Sequence, residues 1–304
     1  MVSPSGEQYE FAAGGYRAVV TEGGAALRSL HLGDRPLVDG FAEDAMPTGG
    51  RGQLLVPWPN RIRDGQYSFA GRDLQLPLSD PAHHNASHGL ARWTAWTLEE
   101  LTPTSVSLLH RLMAQSGYPW TVDLHVLYDL SADGLTVTQT ATNLSSEPAP
   151  YASGAHPYLC TGTRIDDLEL TVPASTWLEV DDRLLPVAQH PVDDRHDYRG
   201  PRPIGDAVLD VAMGGLTHRD GRANVTLRDR GAGNGVALWV DENHRWVQLF
   251  SGDTDPGHGR RSLAVEPMTA PPDAFRSGTD LVTLAPAGEP GDELSVSWGI
   301  HALG

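Results

Sequence analysis

Apolar and polar residues alternate with a period of two through much of this chain, and no stretch keeps a helical period for three or four turns. The pattern is clearest from Thr121 to Leu130, where Val122, Leu124, Val126, Tyr128 and Leu130 share one face. A turn at Ser131-Ala132-Asp133-Gly134 leads into a second run, Leu135 to Thr142, so the pair predicts a hairpin. Tyr67 to Phe69 and Leu74 to Leu76 flank another turn, Ala70-Gly71-Arg72-Asp73. Further strand-like runs lie at Trp177 to Val180, Ala223 to Leu227, Val236 to Val240, Trp246 to Phe250, Leu263 to Glu266 and Leu294 to Trp298. Short strands joined by turns rich in glycine (33) and proline (23), without strand-helix alternation, predict an all-β sandwich or barrel. Pro186 to Asp206 has no such alternation and reads as a long surface excursion within one domain spanning residues 1–304.

The formal net charge of -17 argues against nucleic acid or an anionic membrane as partner, since both need a basic patch. All 22 basic residues are arginine. Without lysine there is no Schiff base, no pyridoxal phosphate attachment and no phosphate-loop lysine. The single Cys160 allows neither an internal disulfide nor a cysteine-rich zinc site. The first ten residues carry no basic segment followed by an apolar run, and nowhere do about 18 apolar residues follow one another. The expectation is a cytoplasmic protein.

Four segments gather ionisable and aromatic residues. In Val56-Pro57-Trp58-Pro59-Asn60-Arg61-Ile62, two prolines stiffen the backbone that presents Asn60 and Arg61; the plainer reading is a surface turn. In His83-His84-Asn85-Ala86-Ser87-His88-Gly89, His84 and His88 have a zinc-like spacing, but the surrounding glycine and serine favour a loop that meets a hydroxyl-rich ligand. No metal site is expected. In Ser153-Gly154-Ala155-His156-Pro157-Tyr158-Leu159-Cys160, the proline fixes where His156 points, and the alternative is a buried structural histidine. Cys160 within an apolar run reads as a filler rather than as the nucleophile of a cysteine-histidine pair. In Ser262 to Phe275, Glu266 closes an alternating strand just before Pro267, which suits a general base or an ordinary edge carboxylate.

Taken in order, these segments resemble the aldose 1-epimerase (galactose mutarotase) family from about residue 50 to residue 280. The resemblance places Asn60, Arg61, His88, His156, Tyr158 and Glu266 in one sugar site, and adds Gln248 from Trp246-Val247-Gln248-Leu249-Phe250. Asp210 also matches, but the family's following histidine and phenylalanine are replaced by Val211 and Met213. The resemblance implies a large antiparallel β-sandwich with a sugar cleft, a small-molecule aldose as partner and no cofactor. It implies Glu266 as base and His156 as acid in ring opening, with the remaining site residues holding hydroxyls and Trp58 or Tyr158 covering the sugar ring. A carboxylate, Asp210 or Glu266, is expected to keep His156 protonated. Two other readings are a hexose 6-phosphate 1-epimerase, with Arg63 or Arg92 at the phosphate, and a carbohydrate-binding sandwich without turnover. A cupin-type metal barrel lacks its closely spaced histidine and glutamate motif.

Overall fold

The computed structural model describes every residue except Met1, Asp255, Pro256 and His258. The clearest alternating run forms the strand Val122–Ser131, paired antiparallel with Gly134–Asn143 from Val122 opposite Asn143 to Ser131 opposite Gly134. In this register Val122, Leu124, Val126, Tyr128 and Leu130 all turn inward and are buried. Among the described residues this hairpin belongs to a nine-stranded sheet. Its order is Arg202–Pro203, Glu169–Thr171, Ala223–Asp229, Asn234–Val240, Glu293–Leu303, Gly134–Asn143, Val122–Ser131, Ser105–Leu112 and Thr97–Leu101.

A six-stranded sheet carries Tyr158–Leu159, Leu263–Met268, Trp246–Phe250, Asp210–Gly214, Thr176–Val180 and Pro186–Pro191, in that order. Its alternation explains both of its faces. Val211, Met213, Val247, Leu249 and Val265 join the buried core shared with the nine-stranded sheet. The intervening residues Asp210, Gln248 and Glu266 are therefore turned to the other side. The protein is an all-β, antiparallel structure, and its longest α-helix among the described residues is Ala274–Ser277. None of its described helices is long and apolar enough to cross a membrane.

Two parts differ from the sequence expectation. The excursion from Pro186 begins as an edge strand, Pro186–Pro191, which pairs with Thr176–Val180, and Arg202–Pro203 later pairs with Glu169–Thr171. Prolines at both ends and half-exposed side chains throughout disguise this strand, because an edge needs neither a full ladder nor an apolar face. The chain also opens with a four-stranded sheet, Gln8–Ala13, Tyr16–Thr21, Leu27–Leu32 and Arg35–Pro36, in which irregular burial replaces clean alternation.

Trp298 lies in the core on the central strand Glu293–Leu303, opposite both Val137 and Val240. Trp298→Ala is expected to lower unfolding free energy by about 3–5 kcal/mol, through lost burial and the cavity left behind. Urea unfolding checks this, and a change below about 1 kcal/mol would mean that the two central neighbours do not depend on the indole.

Candidate active site

Pairing across the six-stranded sheet assembles three site residues. Gln248 stands opposite Glu266 on one side and opposite Ala212 on the other, with Asp210 two residues along the same face. Gln248 Nε2 donates to Asp210 Oδ1 at 2.7 Å, and Asn60 Nδ2 donates to Gln248 Oε1 at 3.4 Å. The amide is thus held from both ends. Val211 and Met213, standing where the resembled family has histidine and phenylalanine, face the core, so their identity leaves Asp210 in place.

Asn60 and His88 form a reciprocal pair. The His88 amide donates to the Asn60 carbonyl at 2.8 Å, and the Asn60 amide donates to His88 Nδ1 at 3.2 Å. Because Nδ1 accepts, the proton of the neutral ring sits on Nε2, leaving that nitrogen as a donor. Both residues have left-handed backbones, with φ of 53° and 61°. Their segments continue as the paired strands Arg61–Arg63 and Asn85–Ser87. Arg61 Nε donates to Asp80 Oδ2 at 3.0 Å, and Arg61 Nη1 donates to Asn60 Oδ1 at 3.3 Å. His84 lies at the surface against Asp64, so its zinc-like spacing from His88 brings no shared site. Among the described residues no cluster of three His, Cys, Asp or Glu side chains is arranged to hold a metal ion.

His156 and Glu266 are 5% and 2% exposed, and His156 Nε2 lies 3.3 Å from Glu266 Oε1. Gly50 lets the backbone approach the imidazole: a Cβ there would come within 2.7 Å of His156 Cδ2. Tyr158 stacks on His156 with ring centres 5.0 Å apart and the Arg51 guanidinium 4.2 Å from its own ring centre. The Tyr158 hydroxyl donates to the Gly49 carbonyl at 2.7 Å, so Tyr158 supports His156 from outside the cleft lining. Trp58 is likewise buried, against Phe275, and does not line the cleft. These placements run against the expectation that either ring covers a sugar: both aromatic faces are committed to packing.

Electrostatics differ from the sequence expectation too. Burial pulls His156 down to about 3, with the charges of Arg51, Arg92 and Arg61 adding to the effect. Burial raises Glu266 well above the ordinary carboxylate range, and nearby Asp210 raises it further. The neighbouring carboxylate does not outweigh burial, and both groups are driven toward their neutral forms. His88 is lowered well below its ordinary value by burial, then by His156, Arg92 and Arg61. Asp210 is raised by burial.

Asn60, Arg61, His88, His156, Asp210, Gln248 and Glu266 converge on a cleft of about 340 Å³. This is the lower end of the range for small-molecule sites. Its wall also includes Asp80 and Trp93, which lie outside the motifs, His83 and Phe250, which lie within motif segments but were given no role there, and Arg92, singled out only for a phosphorylated substrate. Trp93 is 54% exposed. A larger cavity, about 670 Å³, lies beside Arg28, Asp39 and Cys160 and lacks an imidazole-carboxyl pair of this kind. Cys160 lines that cavity, and burial pushes its thiol up to about 12, which suits a protonated filler rather than a nucleophile.

The aldose 1-epimerase family model matches residues 7–296. The chain belongs to the aldose 1-epimerase family. This family member is an isomerase of the mutarotase class. It is 36% identical to the uncharacterized protein YihR of Escherichia coli K12 over 92% of this chain and 89% of that one. Human galactose mutarotase is 25% identical to it over 82% of this chain and 80% of the human protein. In fold it is similar to the GalM/aldose epimerase homologue of C. elegans, with a TM-score of 0.85, 20% identity and coverage of 97% and 98% of the two chains.

The two buried titrations have opposite consequences for this epimerase. Glu266, raised, keeps its proton when folded; its stabilising contribution is full below the unfolded carboxyl pKa and is lost as pH rises through the folded one. His156, lowered to about 3, contributes fully above its ordinary 6.5 and loses this as pH falls toward 3. The unfolding free energy of wild type relative to Glu266→Gln is therefore expected to decrease from about pH 5 to about pH 8. Urea unfolding at the two pH values checks it, and a pH-independent difference would place the Glu266 pKa in the ordinary range.

Proposed function

We propose that the chain interconverts the α and β anomers of an aldohexose by general acid-base opening and closing of the ring. The observation that carries this reading is the buried His156–Glu266 contact at 3.3 Å, set in a cleft lined by hydrogen-bonding side chains. Glu266 Oε2 is buried without a hydrogen-bond donor from the protein, which leaves an acceptor for a sugar hydroxyl.

Glu266 removes the proton from the anomeric hydroxyl and His156 protonates the ring oxygen. As the C1–O bond breaks, its electron pair passes to that oxygen and the anomeric carbon becomes an aldehyde. Rotation about C1–C2 presents the other face, and closure reverses both proton transfers. A protonated carboxyl beside a neutral imidazole has the same proton count as a carboxylate beside an imidazolium. One transfer across the 3.3 Å contact therefore supplies the starting arrangement. Ring opening then returns both groups to the neutral forms that burial favours. The charge separation is relieved by the reaction itself. His88 Nε2, Arg61, the fixed amide of Gln248 and the Asp210 carboxyl hold the sugar hydroxyls, whose direction they read through planar donors and acceptors.

A positioned acid and a positioned base each contribute roughly 10²–10⁴-fold. Glu266→Gln and His156→Asn are each expected to lower kcat by about that factor in polarimetry of freshly dissolved α-D-glucose and α-D-galactose. Wild-type acceleration that survives in both variants would sink the acid-base assignment.

A further inference from the structure

The turn between Thr176–Val180 and Pro186–Pro191 belongs to the edge hairpin of the six-stranded sheet, and Arg183 stands on it. Its backbone is set within the turn, where Asp181 Oδ1 accepts from the Arg183 and Leu185 amides at 2.9 and 3.0 Å. The guanidinium leaves the hairpin and meets the segment His83-His84-Asn85. Arg183 Nε donates to the His83 carbonyl at 3.0 Å. Its Nη2 faces three more acceptors: the His84 carbonyl at 2.8 Å, Asn85 Oδ1 at 3.2 Å and Asp64 Oδ1 at 2.8 Å. Asn85 Nδ2 returns a bond to the Arg183 carbonyl at 3.0 Å. Asn85 is fully buried, so its amide has no water to fall back on.

The segment so gripped needs holding. His84 and Asp64 both have left-handed backbones, each with φ of 56°, and the Asp64 carboxylate meets both His84 Nδ1 and Arg183 Nη2. Side chains other than glycine stay in this region only where their surroundings over-determine it. A planar guanidinium can take successive carbonyls at fixed angles, which the single nitrogen of a lysine cannot. Beyond the grip, the chain runs directly into the site. The backbones of Asn85 and Asp80 exchange two hydrogen bonds, of 3.0 and 2.9 Å, and the Asp80 carboxylate accepts from Arg61 Nε at 3.0 Å. Leu184, next to Arg183, shares a gap of about 10 Å³ with Asn60, Arg61, Asp210 and Gln248. Arg183 itself does not line the cleft.

We propose that Arg183 is a positioning residue of this epimerase: by clamping residues 83–85 it holds Asp80 where Asp80 aims Arg61 at the sugar. This rests on the reading of the cleft as an aldose site in which Arg61 holds hydroxyls. With the clamp removed, the left-handed turn relaxes, the two-bond bridge to Asp80 shifts with it, and Arg61 loses its fixed direction. Glu266 and His156 stand on other segments, so their proton transfers continue. An interaction made alike with bound sugar and with the transition state is weakened, which raises KM and spares kcat. The ion pair with Asp64 is a minor part of the clamp, since its two side chains are 33% and 35% exposed. The two carbonyls and Asn85 are the major part.

The test is polarimetry of α-D-glucose and α-D-galactose over a range of concentrations with wild type, Arg183→Gln, Arg183→Lys, Asp80→Asn and the double variant Arg183→Gln/Asp80→Asn. Arg199→Gln is the control, because Arg199 lies on the excursion that follows this turn and pairs with Asp197 at 2.6 Å. Arg183→Gln is expected to raise KM about 10-fold with kcat within about threefold, the scale of one charge-assisted hydrogen bond. Arg183→Lys should raise KM by a smaller factor, and Arg199→Gln should leave it unchanged. Because the effect runs through Asp80, Arg183→Gln should add little in the Asp80→Asn background. An unchanged KM, a loss confined to kcat or additive effects in the double variant overturns the proposal. Amide hydrogen exchange over residues 79–88 reads the clamp without turnover: exchange faster in Arg183→Gln than in wild type and Arg199→Gln is expected, and equal exchange overturns it. If Arg183→Gln does not fold, Arg183→Lys carries both measurements, and wild-type KM with wild-type exchange in that variant overturns the proposal. If wild type accelerates neither sugar, the aldose reading fails, whereas the exchange comparison still decides whether Arg183 holds the segment.

Discussion

Everything distinctive about this site depends on burying a carboxyl and an imidazole against each other. Glu266 and His156 lie 3.3 Å apart and almost out of solvent. Burial makes charge costly on either one, while contact makes transfer of one proton between them short. In the proposed ring opening and closure such a pair donates at one atom and accepts at another, and neither direction requires a proton from bulk water. The surrounding arginines also disfavour an added charge on His156.

The sandwich positions this pair by the simplest property of a strand. Along Trp246–Phe250 and Leu263–Met268, alternate side chains enter the core, and the residues between them face the cleft. Val247, Leu249 and Val265 therefore help fix the angles of Gln248 and Glu266, and a one-residue slip in pairing would exchange the roles of the two faces. The third motif is anchored from another direction. His156 hangs on Gln53 through its backbone, on Tyr158 through ring stacking and on Gly50 through close approach. The rigid framework of the cleft is thus assembled from segments far apart in the sequence, each restrained by local packing.

Legibility in the sequence followed locality. The hairpin of Val122–Ser131 with Gly134–Asn143 announces itself because its apolar period and its turn lie in one short stretch. Glu266, His156, His88 and the Asn60-Arg61 pair could be singled out from their immediate neighbours, and the family resemblance joined them into a site. Gln53 could not: its partners are the Arg92 carbonyl and the His156 amide, both remote in sequence. Asp80 became visible only once Arg61 folded against it. Tyr158 and Trp58 show the converse, since an aromatic beside a motif residue has the composition of a sugar platform, whereas its direction is decided by packing. Neutralisation of His156 was hidden for a similar reason, because a sequence displays the nearby carboxylate and conceals the extent of desolvation.

The reciprocal contact of Asn60 and His88 has a consequence for how such a cleft can diverge. Each supplies a hydrogen-bond partner to the other, and both backbones adopt a conformation that most side chains avoid. The two loops therefore act as one interchangeable part: transplanting either alone into a related scaffold removes half of a mutual brace, whereas transplanting both carries the brace along. Arg92, four residues beyond His88, is held by Gln53 through its carbonyl rather than its side chain. The side chain at that position can therefore be changed without dismantling the brace.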